Sequence, residues 1–530
     1  MESSPFHRNR AAAFTIAITC VATVLFAWSA ESMAQSARNG VGSRAGQLAT
    51  PQRQPAGQLR QPVTAPQPNR PVAANPQQPA KESCNLTSSH KPGAADVVEI
   101  SLEAHGQVIQ TLQSGKQESA TMEVAAGFKY EERFDKYTPN GPARTIRQYE
   151  KAGMKRKIGA NTALPKLDKS RKFVVSEYDG KKTQVYSLGG AMRDEQYALL
   201  HELPFNTTML DLLLPNREVK LGEDWRLSND AVVALLGVDA IENNTIHLSV
   251  TSIADNFAEV ELYQIGDKDK DGKDGPSTLE CAAEGASVSL DMEGKYQFDL
   301  NSRRITWFGI NISERRSQSV ATPGLDWNAT LKINIAPLEK PDKLSDETIA
   351  SMKLDPTDEL LKLYYNAHKG PWKFQHSRKW KMIEDGAKIT SLCYLDGGEA
   401  IAQCNILSNG KIDLTTKPSL AGYKEQIQKG LGERFVEFKE QAEYDGAGGV
   451  SVYYVVADGV YEESPFRWVY YLVTDKNGAQ ATIMFELRAD LLEQYDDSGN
   501  EIVESFKLVP RSNEGVGQEL QRAAGADAKK

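Results

Sequence analysis

The clearest chemical spacing in this chain belongs to Asp267, Asp269 and Asp271, alternate carboxylates in the run Asp-Lys-Asp-Lys-Asp-Gly. This matches positions 1, 3, 5 and 6 of a calcium loop, where oxygen ligands converge on a hard cation and glycine makes the sharp turn. Position 12 is Thr278 in place of the bidentate glutamate, and Glu280 arrives two residues late. The flanks AEVELYQIG and TLECAAEG read as strands, where an EF-hand needs helices. A solvated, charged hairpin loop is therefore the first reading. A weak calcium site of the extracellular kind is the alternative, and no other cofactor is expected.

Cysteine is the second source of chemistry. Cys84, Cys281, Cys393 and Cys404 follow the N-terminal region. Cys393 and Cys404 fall in consecutive expected strands, KITSLCYL and AIAQCNIL, around DGGE. With Gly397 and Gly398 as a two-residue turn, Cys393 opposes Ala402 and Cys404 opposes Ser391. The sulfurs are then diagonal neighbours on one face, roughly 7–8 Å apart by backbone geometry, which is marginal for a bridge. Two readings stand, a Cys393–Cys404 disulfide or a pair of buried thiols. No pair of further ligands shows the local spacing of a metal site.

The common catalytic templates are missing. The chain has no Gly-x-Ser-x-Gly elbow, no His-Glu-x-x-His helix and no P-loop, and HELPF at His201 lacks the second histidine. Histidines 90, 105, 201, 247, 368 and 376 are scattered and read as surface or structural residues. Gly430–Phe435, GLGERF, is too short for a nucleotide fingerprint and suits a helix end. The expectation is a non-enzyme. An enzymatic reading stays open only through groups converging from distant positions.

These residues must be held by more than one core. A chain of 530 residues calls for two or three domains. A net charge of −9 argues against a nucleic-acid footprint. A hydrophobic share of 40% suits globular domains and falls short of a multi-span membrane protein. The N-terminus carries a basic region (His7, Arg8, Arg10), the apolar run Ala11–Trp28, and small residues at Ser32 and Ala34. This is the layout of a secretory signal peptide cleaved after Ala34, and an uncleaved membrane anchor is the alternative. Export to the periplasm or beyond follows, with no stable membrane span after cleavage. Residues 35–95 are rich in Pro, Gln and Arg and read as a disordered, partly polyproline-like linker. The linker acts as a spacer, or rests its arginines on anionic envelope polymer or lipid.

From 96 to 341, alternating runs such as DVVEISLEAHG, TIHLSVTSIAD and RRITWFGINISERRSQ read as strands in series. TTMLDLLL and SNDAVVALLGV read as short helices, the latter capped by Ser228 or Asn229. The result is a mainly antiparallel β domain, a curved sheet or half-barrel with a few helices. LLLPNREVKLGEDWRL resembles a Pro-x-x-x-Val-x-x-Gly-x-x-Trp pattern of exported bacterial β-domains. Residues 342–371 read as a linker helix, with a stripe of Leu360, Leu361, Leu363, Tyr364 and Ala367 stopped at Gly370-Pro371.

Residues 372–510 read as strands, an amphipathic helix, three further strands and closing helices, and 511–530 as a disordered tail. In RWVYYLVTDKNGAQATIMFEL, Trp468, Tyr470 and Leu472 face one way and Val469, Tyr471 and Val473 the other. That is the pattern of a strand covered on both sides, with a hairpin turn at Asn477-Gly478. The order of SLAGYKEQIQKGLGERF, GGVSVYYVVADG, PFRWVYYLVTDKNGAQATIMFEL and IVESFKL resembles the PsbP-like fold over about a quarter of the chain. That resemblance implies an α/β/α sandwich and a generally non-enzymatic binding or assembly module. It carries over no partner-binding residue. The expected function is an exported cell-envelope binding or assembly module with a protein partner. The alternative is a carrier of an apolar, lipid-like ligand in the β-rich domain.

Overall fold

A computed structural model describes residues 82–509 except 112–115, 139–140, 179–182, 202–204, 239, 267–276, 284–285, 320–321, 367–369, 387, 397–398 and 447–448. The signal peptide, most of the linker, the Asp267–Asp271 loop and the tail lie outside the described residues. The chain divides into two compact units, the first running to Lys362 and taking in Leu395–Glu399, the second comprising Leu363–Tyr394 and the chain from Ala400.

The first unit contains β1 (Ser83–Asn85), β2 (Ala95–Thr111), β3 (Gln117–Thr138), β4 (Gly141–Ile158), β5 (Asn161–Ala163), β6 (Phe173–Tyr178), β7 (Thr183–Ser187), β8 (Glu218–Lys220) and β9 (Asp224–Arg226). It continues with β10 (Ala240–Asn243), β11 (Ile246–Ala254), β12 (Phe257–Gln264), β13 (Leu279–Ala283), β14 (Ala286–Asp299), β15 (Arg304–Arg316) and β16 (Gly324–Leu338). Fourteen of these join one open sheet in the order β7-β6-β4-β3-β2-β16-β15-β14-β12-β11-β9, with β5 on β4 and β10-β13 branching from β14. Period-two patterning builds it. In β2, Val98, Ile100, Leu102 and Ala104 are buried while Glu99 and Glu103 are exposed.

The buried face packs on helical inserts. These are α1 (Asp194–His201), the 3-10 turn Thr207–Leu213 and α2 (Asn229–Leu236), whose N-cap Ser228 accepts from Ala231 N. Met209, Leu210, Leu213, Val232, Leu235 and Leu236 share one core with the strand residues, each contributing about 1.5–3 kcal/mol relative to exposure. The spacing of LLLPNREVKLGEDWRL has a local cause: Val219 is buried, Gly222 takes φ +79°, and Trp225 Nε1 donates to Leu213 O at 3.3 Å.

Two expected boundaries change. The linker does not extend to 95, because β1 pairs with β8 and Cys84 and Leu86 enter the core. The apolar residues of CNL are few enough to vanish in the Pro/Gln-rich average. The linker helix is also absent as such. Among its described residues the segment holds α3 (Asp346–Ala350) and α4 (Asp358–Leu361), and Leu363–Asn366 is a strand. This segment is fastened to the first unit. Leu344 packs with Ile146, Val175 and Tyr186, and Glu131 accepts from the backbone N–H groups of Asp342 (3.1 Å), Lys343 (2.8 Å) and Leu344 (2.9 Å). Arg144 reaches Asp355 at 2.8 Å, and Tyr186 donates to Leu354 O at 2.6 Å.

The second unit contains β17 (Leu363–Asn366), β18 (Trp372–His376), β19 (Trp380–Asp385), β20 (Ile389–Asp396), β21 (Glu399–Lys411), α5 (Leu420–Leu431), β22 (Phe435–Gly446), β23 (Val450–Tyr461), β24 (Ser464–Thr474), β25 (Ala479–Arg488), α6 (Leu492–Tyr495), α7 (Asn500–Ser505) and β26 (Lys507–Leu508). Seven strands form an antiparallel sheet, β19-β20-β21-β25-β24-β23-β22, and β17-β18-β26 a smaller one. Tyr423, Ile427 and Leu431 of α5 cover Tyr453, Val455, Trp468, Tyr470 and Leu472. On the other face Tyr495 of α6 meets Phe485, Tyr394 and Trp380 at ring centroids 6.0–6.4 Å apart. The β24–β25 turn differs from the expected pair of positive φ angles. Only Gly478 has one, at +81°, while Asp475 Oδ1 accepts from Asn477 N and Ala479 N, both at 2.8 Å.

Candidate functional site

Asp267, Asp269 and Asp271 lie outside the described residues. Among the described residues, no group of three or more His, Cys, Asp or Glu is arranged to hold a metal. Cys393 and Cys404 are free and buried. Cys404 pairs with Phe485, whose ring lies 5.9 Å from Trp380, and Trp380 pairs with Tyr394. Opposed residues share a face, so Cys404 lies on the Trp380–Tyr394 side and Cys393, next to Tyr394, on the other. Ser391 Oγ donates to Asn405 Oδ1 at 2.7 Å, and Ser408 N to Lys388 O at 2.9 Å. That register is one residue away from the tight-turn reading, and a slip of one residue turns a side chain to the opposite face. The disulfide expectation is corrected to two buried thiols. Burial pushes Cys393 up to about 11 and Cys404 well above the ordinary thiol range.

The first unit holds a polar network in its interior. Arg147 Nε donates to Glu132 Oε1 at 2.7 Å, and both residues are buried. Thr145 and Thr207 hydroxyls donate to the same oxygen at 2.9 Å. Arg147 Nη2 reaches Thr207 and Thr208 at 3.0 Å, and Asn206 as well. This arrangement pins the 3-10 turn to β3 and β4. Burial works against the Arg147 charge, but Tyr130, Glu132 and Tyr149 outweigh it and hold its pKa above the ordinary range. With its bonding directions taken up by neighbours, the network is structural in character. The helical inserts and this network pack on the buried face of the large sheet.

A cluster of aromatic side chains lies on the second unit. Tyr444, Tyr454 and Tyr471 occupy one face of three adjacent strands, opposite to α5. The register makes this explicit, with Tyr454 facing Tyr471 and Ala442, and Tyr444 facing Val452, itself paired with Val473. The Tyr454 and Tyr471 rings are 5.1 Å apart. Beside them on the same face Val452, Val456 and Val473 are buried, while Tyr454 and Tyr471 are half-buried and Tyr444 is 42% exposed. Of the large apolar side chains exposed among the described residues, Tyr444 and Val460 lie on this face.

Acidic groups border the rings. Tyr454 donates to Glu440 Oε2 at 3.0 Å. Asp458 is clasped by Arg467 through Nε (2.8 Å) and Nη2 (3.0 Å) on the same face. Asp497 sits close enough to act on both Tyr454 and Tyr471, from a turn where Asp496 and Asp497 take φ of 43° and 54°. Burial, then the bond to Glu440, pushes Tyr454 up to about 12, and burial lifts Tyr471 further. The phenols stay neutral across the physiological range, so they suit binding through ring faces and hydroxyls, not proton transfer.

The tyrosines of GGVSVYYVVADG and RWVYYLV were legible in the sequence as strand residues, but their partner strand was not. β22 has register irregularities at Phe435/Glu437 and Phe438/Glu440. Two bulges break the period-two signal, leaving FVEFKEQAEYDG without clean alternation.

No protein-family model matches the chain, and no curated protein matches it. Solved structures similar to it include cyanobacterial PsbP (CyanoP) from Synechocystis sp. PCC 6803, with 13% identity and a TM-score of 0.24 over 30% of this chain and 99% of that one. A Pseudomonas aeruginosa protein of unknown function, PA94, shows 12% identity and a TM-score of 0.20 over 29% and 99%. Lipovitellin shows 10% identity and a TM-score of 0.26 over 48% of this chain and 26% of its own. At these scores the likenesses carry no argument about function.

Proposed function

We propose that this chain is an exported cell-envelope protein that works as a non-enzymatic binding or assembly module. Its second unit is an α/β/α sandwich of the PsbP-like kind that docks a protein partner. The observation that carries the reading is the tyrosine face of β22–β24, where Tyr444 is exposed and Tyr454 and Tyr471 are half-buried. The N-terminal apolar run and the small residues before Gln35 support export. No helix among the described residues is long and apolar enough to cross a membrane.

The test is site-specific photocrosslinking in the native envelope. p-Benzoylphenylalanine at Tyr444 should yield a discrete crosslinked protein, and the same group at the exposed Phe257 of the first unit should not. Equal, diffuse crosslinking from both positions would remove the basis for the reading.

A further inference from the structure

We infer that the outer face of β4 and of the segment Asn161–Leu167 docks on an anionic phospholipid surface. Leu164 enters the apolar layer, and Lys151, Lys155 and Lys166 meet the lipid phosphates. The inference is independent of the tyrosine face and lies wholly within the first unit.

One register builds the face. After β4 the chain turns at Gly159, which takes φ +54°, and runs back along β4. β5 pairs Ala163 with Arg156, and the ladder continues beyond it with Lys166 opposite Gly153. Met154 N donates to Pro165 O at 2.9 Å, and Leu167 N to Ala152 O at 3.1 Å. That register sets Leu164 opposite Lys155. On its other side β4 places Lys157 opposite Glu123, Lys155 opposite Ala125, Gly153 opposite Gly127 and Lys151 opposite Lys129. Opposed residues share a face, so Leu164 stands among lysines over a floor of Ala125, Gly127 and Gly153. Thr162, Leu164 and Lys166 are exposed, while Leu167, of the alternate set, packs against the core.

Charge says what the face takes. Residues 151–172 carry eight Lys or Arg and one Asp, in a chain whose net charge is −9. Lys157 engages Glu123 at 3.4 Å and Lys129 engages Glu99 at 3.0 Å. Lys151, Lys155 and Lys166 are in no ion pair among the described residues. A basic side chain held near an anionic bilayer strengthens binding about fivefold.

Leu164 favours a bilayer over a soluble polyanion. It is 69% exposed, more than any other large apolar side chain among the described residues. Lysines alone would guard a sheet edge against pairing with another chain. A leucine exposed at their centre works against that protection. Its placement is accounted for when it leaves water for the acyl boundary while the surrounding lysines stay with the headgroups.

The experiment uses the full chain in a Cys20→Ser background, with an environment-sensitive fluorophore on Thr162→Cys beside Leu164. The other four cysteines are buried. Vesicles of equal parts phosphatidylglycerol and phosphatidylcholine should raise and blue-shift the emission, and vesicles of phosphatidylcholine alone should not. The readout is local, so attachment through the N-terminal apolar run alone does not produce it. Lys151→Gln/Lys155→Gln/Lys166→Gln should raise the lipid concentration needed about a hundredfold, and Leu164→Ser about tenfold. All four side chains are exposed, so these substitutions leave the core intact. Emission unmoved by the anionic vesicles overturns the inference, as does an equal change with phosphatidylcholine alone. Leu164→Ser responding like the parent also overturns it, and marks the face as a site for a soluble polyanion such as polyphosphate.

Discussion

Arg147→Met tests whether the interior of the first unit depends on its buried ion pair. The substitution fills most of the arginine's volume but leaves Glu132 with only the Thr145 and Thr207 hydroxyls, both at 2.9 Å. Glu132 is 1% exposed and Arg147 3%, so water cannot readily replace the lost cation. Removing one member of such a pair costs about 3–5 kcal/mol. At ~1.4 kcal/mol per factor of ten, opening of β3 and β4 should become roughly two to three and a half orders of magnitude more frequent. Native-state hydrogen exchange of peptides covering Tyr130–Phe134 and Thr145–Tyr149 reads this directly. A single denaturation midpoint would mix the two units. The double variant Glu132→Gln/Arg147→Met should recover a large part of the loss, since no charge is then stranded. Exchange in Arg147→Met within threefold of the parent would refute the reasoning, as would a double variant no better than the single.

Three further outcomes follow from the same structure. Burial, opposed by Arg304 and His90, raises Asp96 from 3.8 to about 6. A carboxyl whose folded pKa is raised stabilises most below its unfolded value and loses that contribution as pH rises through the folded one. Relative to Asp96→Asn, the parent should therefore lose ~3 kcal/mol between pH 3.8 and 6, measured as the stability difference across that window. No such difference would show that Arg304 fully compensates the burial. Glu131→Ala removes the acceptor for three backbone N–H groups of the 342–344 segment and should cost about 3 kcal/mol. Faster thermolysin cleavage near Leu344–Leu361 would report it, and unchanged cleavage would mean that Leu344 packing alone holds the segment. Cys84, Cys281, Cys393 and Cys404 are buried and in no disulfide, so none should react with a thiol reagent before unfolding. Rapid native labelling at any of the four would contradict their placement.

Much of the strand series was legible because period-two patterning is local. DVVEISLEAHG, FAEVELYQIG and the β14–β15 hairpin all fall where the alternation puts them, and Ser228 caps its helix as its type and position suggest. Local signals failed where a neighbour decided the outcome. The Leu360–Ala367 stripe has helical spacing, yet Leu363–Asn366 is a strand because β18 is there to pair with it. Ser83–Asn85 has no strand pattern of its own and is ordered by β8. Cys393 and Cys404 were assigned to one face by a plausible turn, and a register one residue different put them on opposite faces.

By itself the sequence determined the antiparallel, strand-rich make-up of the chain and its two-part organisation. These depend on residue type and on short-range period, which survive without a fold. Only the tertiary structure decided that Arg147 and Glu132, fifteen residues apart, meet inside a core and that Tyr444, Tyr454 and Tyr471 form one surface. Only it decided that α5 covers one side of β22–β24 while the three tyrosines lie on the other. Which side of a strand is left uncovered is set by what packs against the sheet, and no spacing within the strand records it.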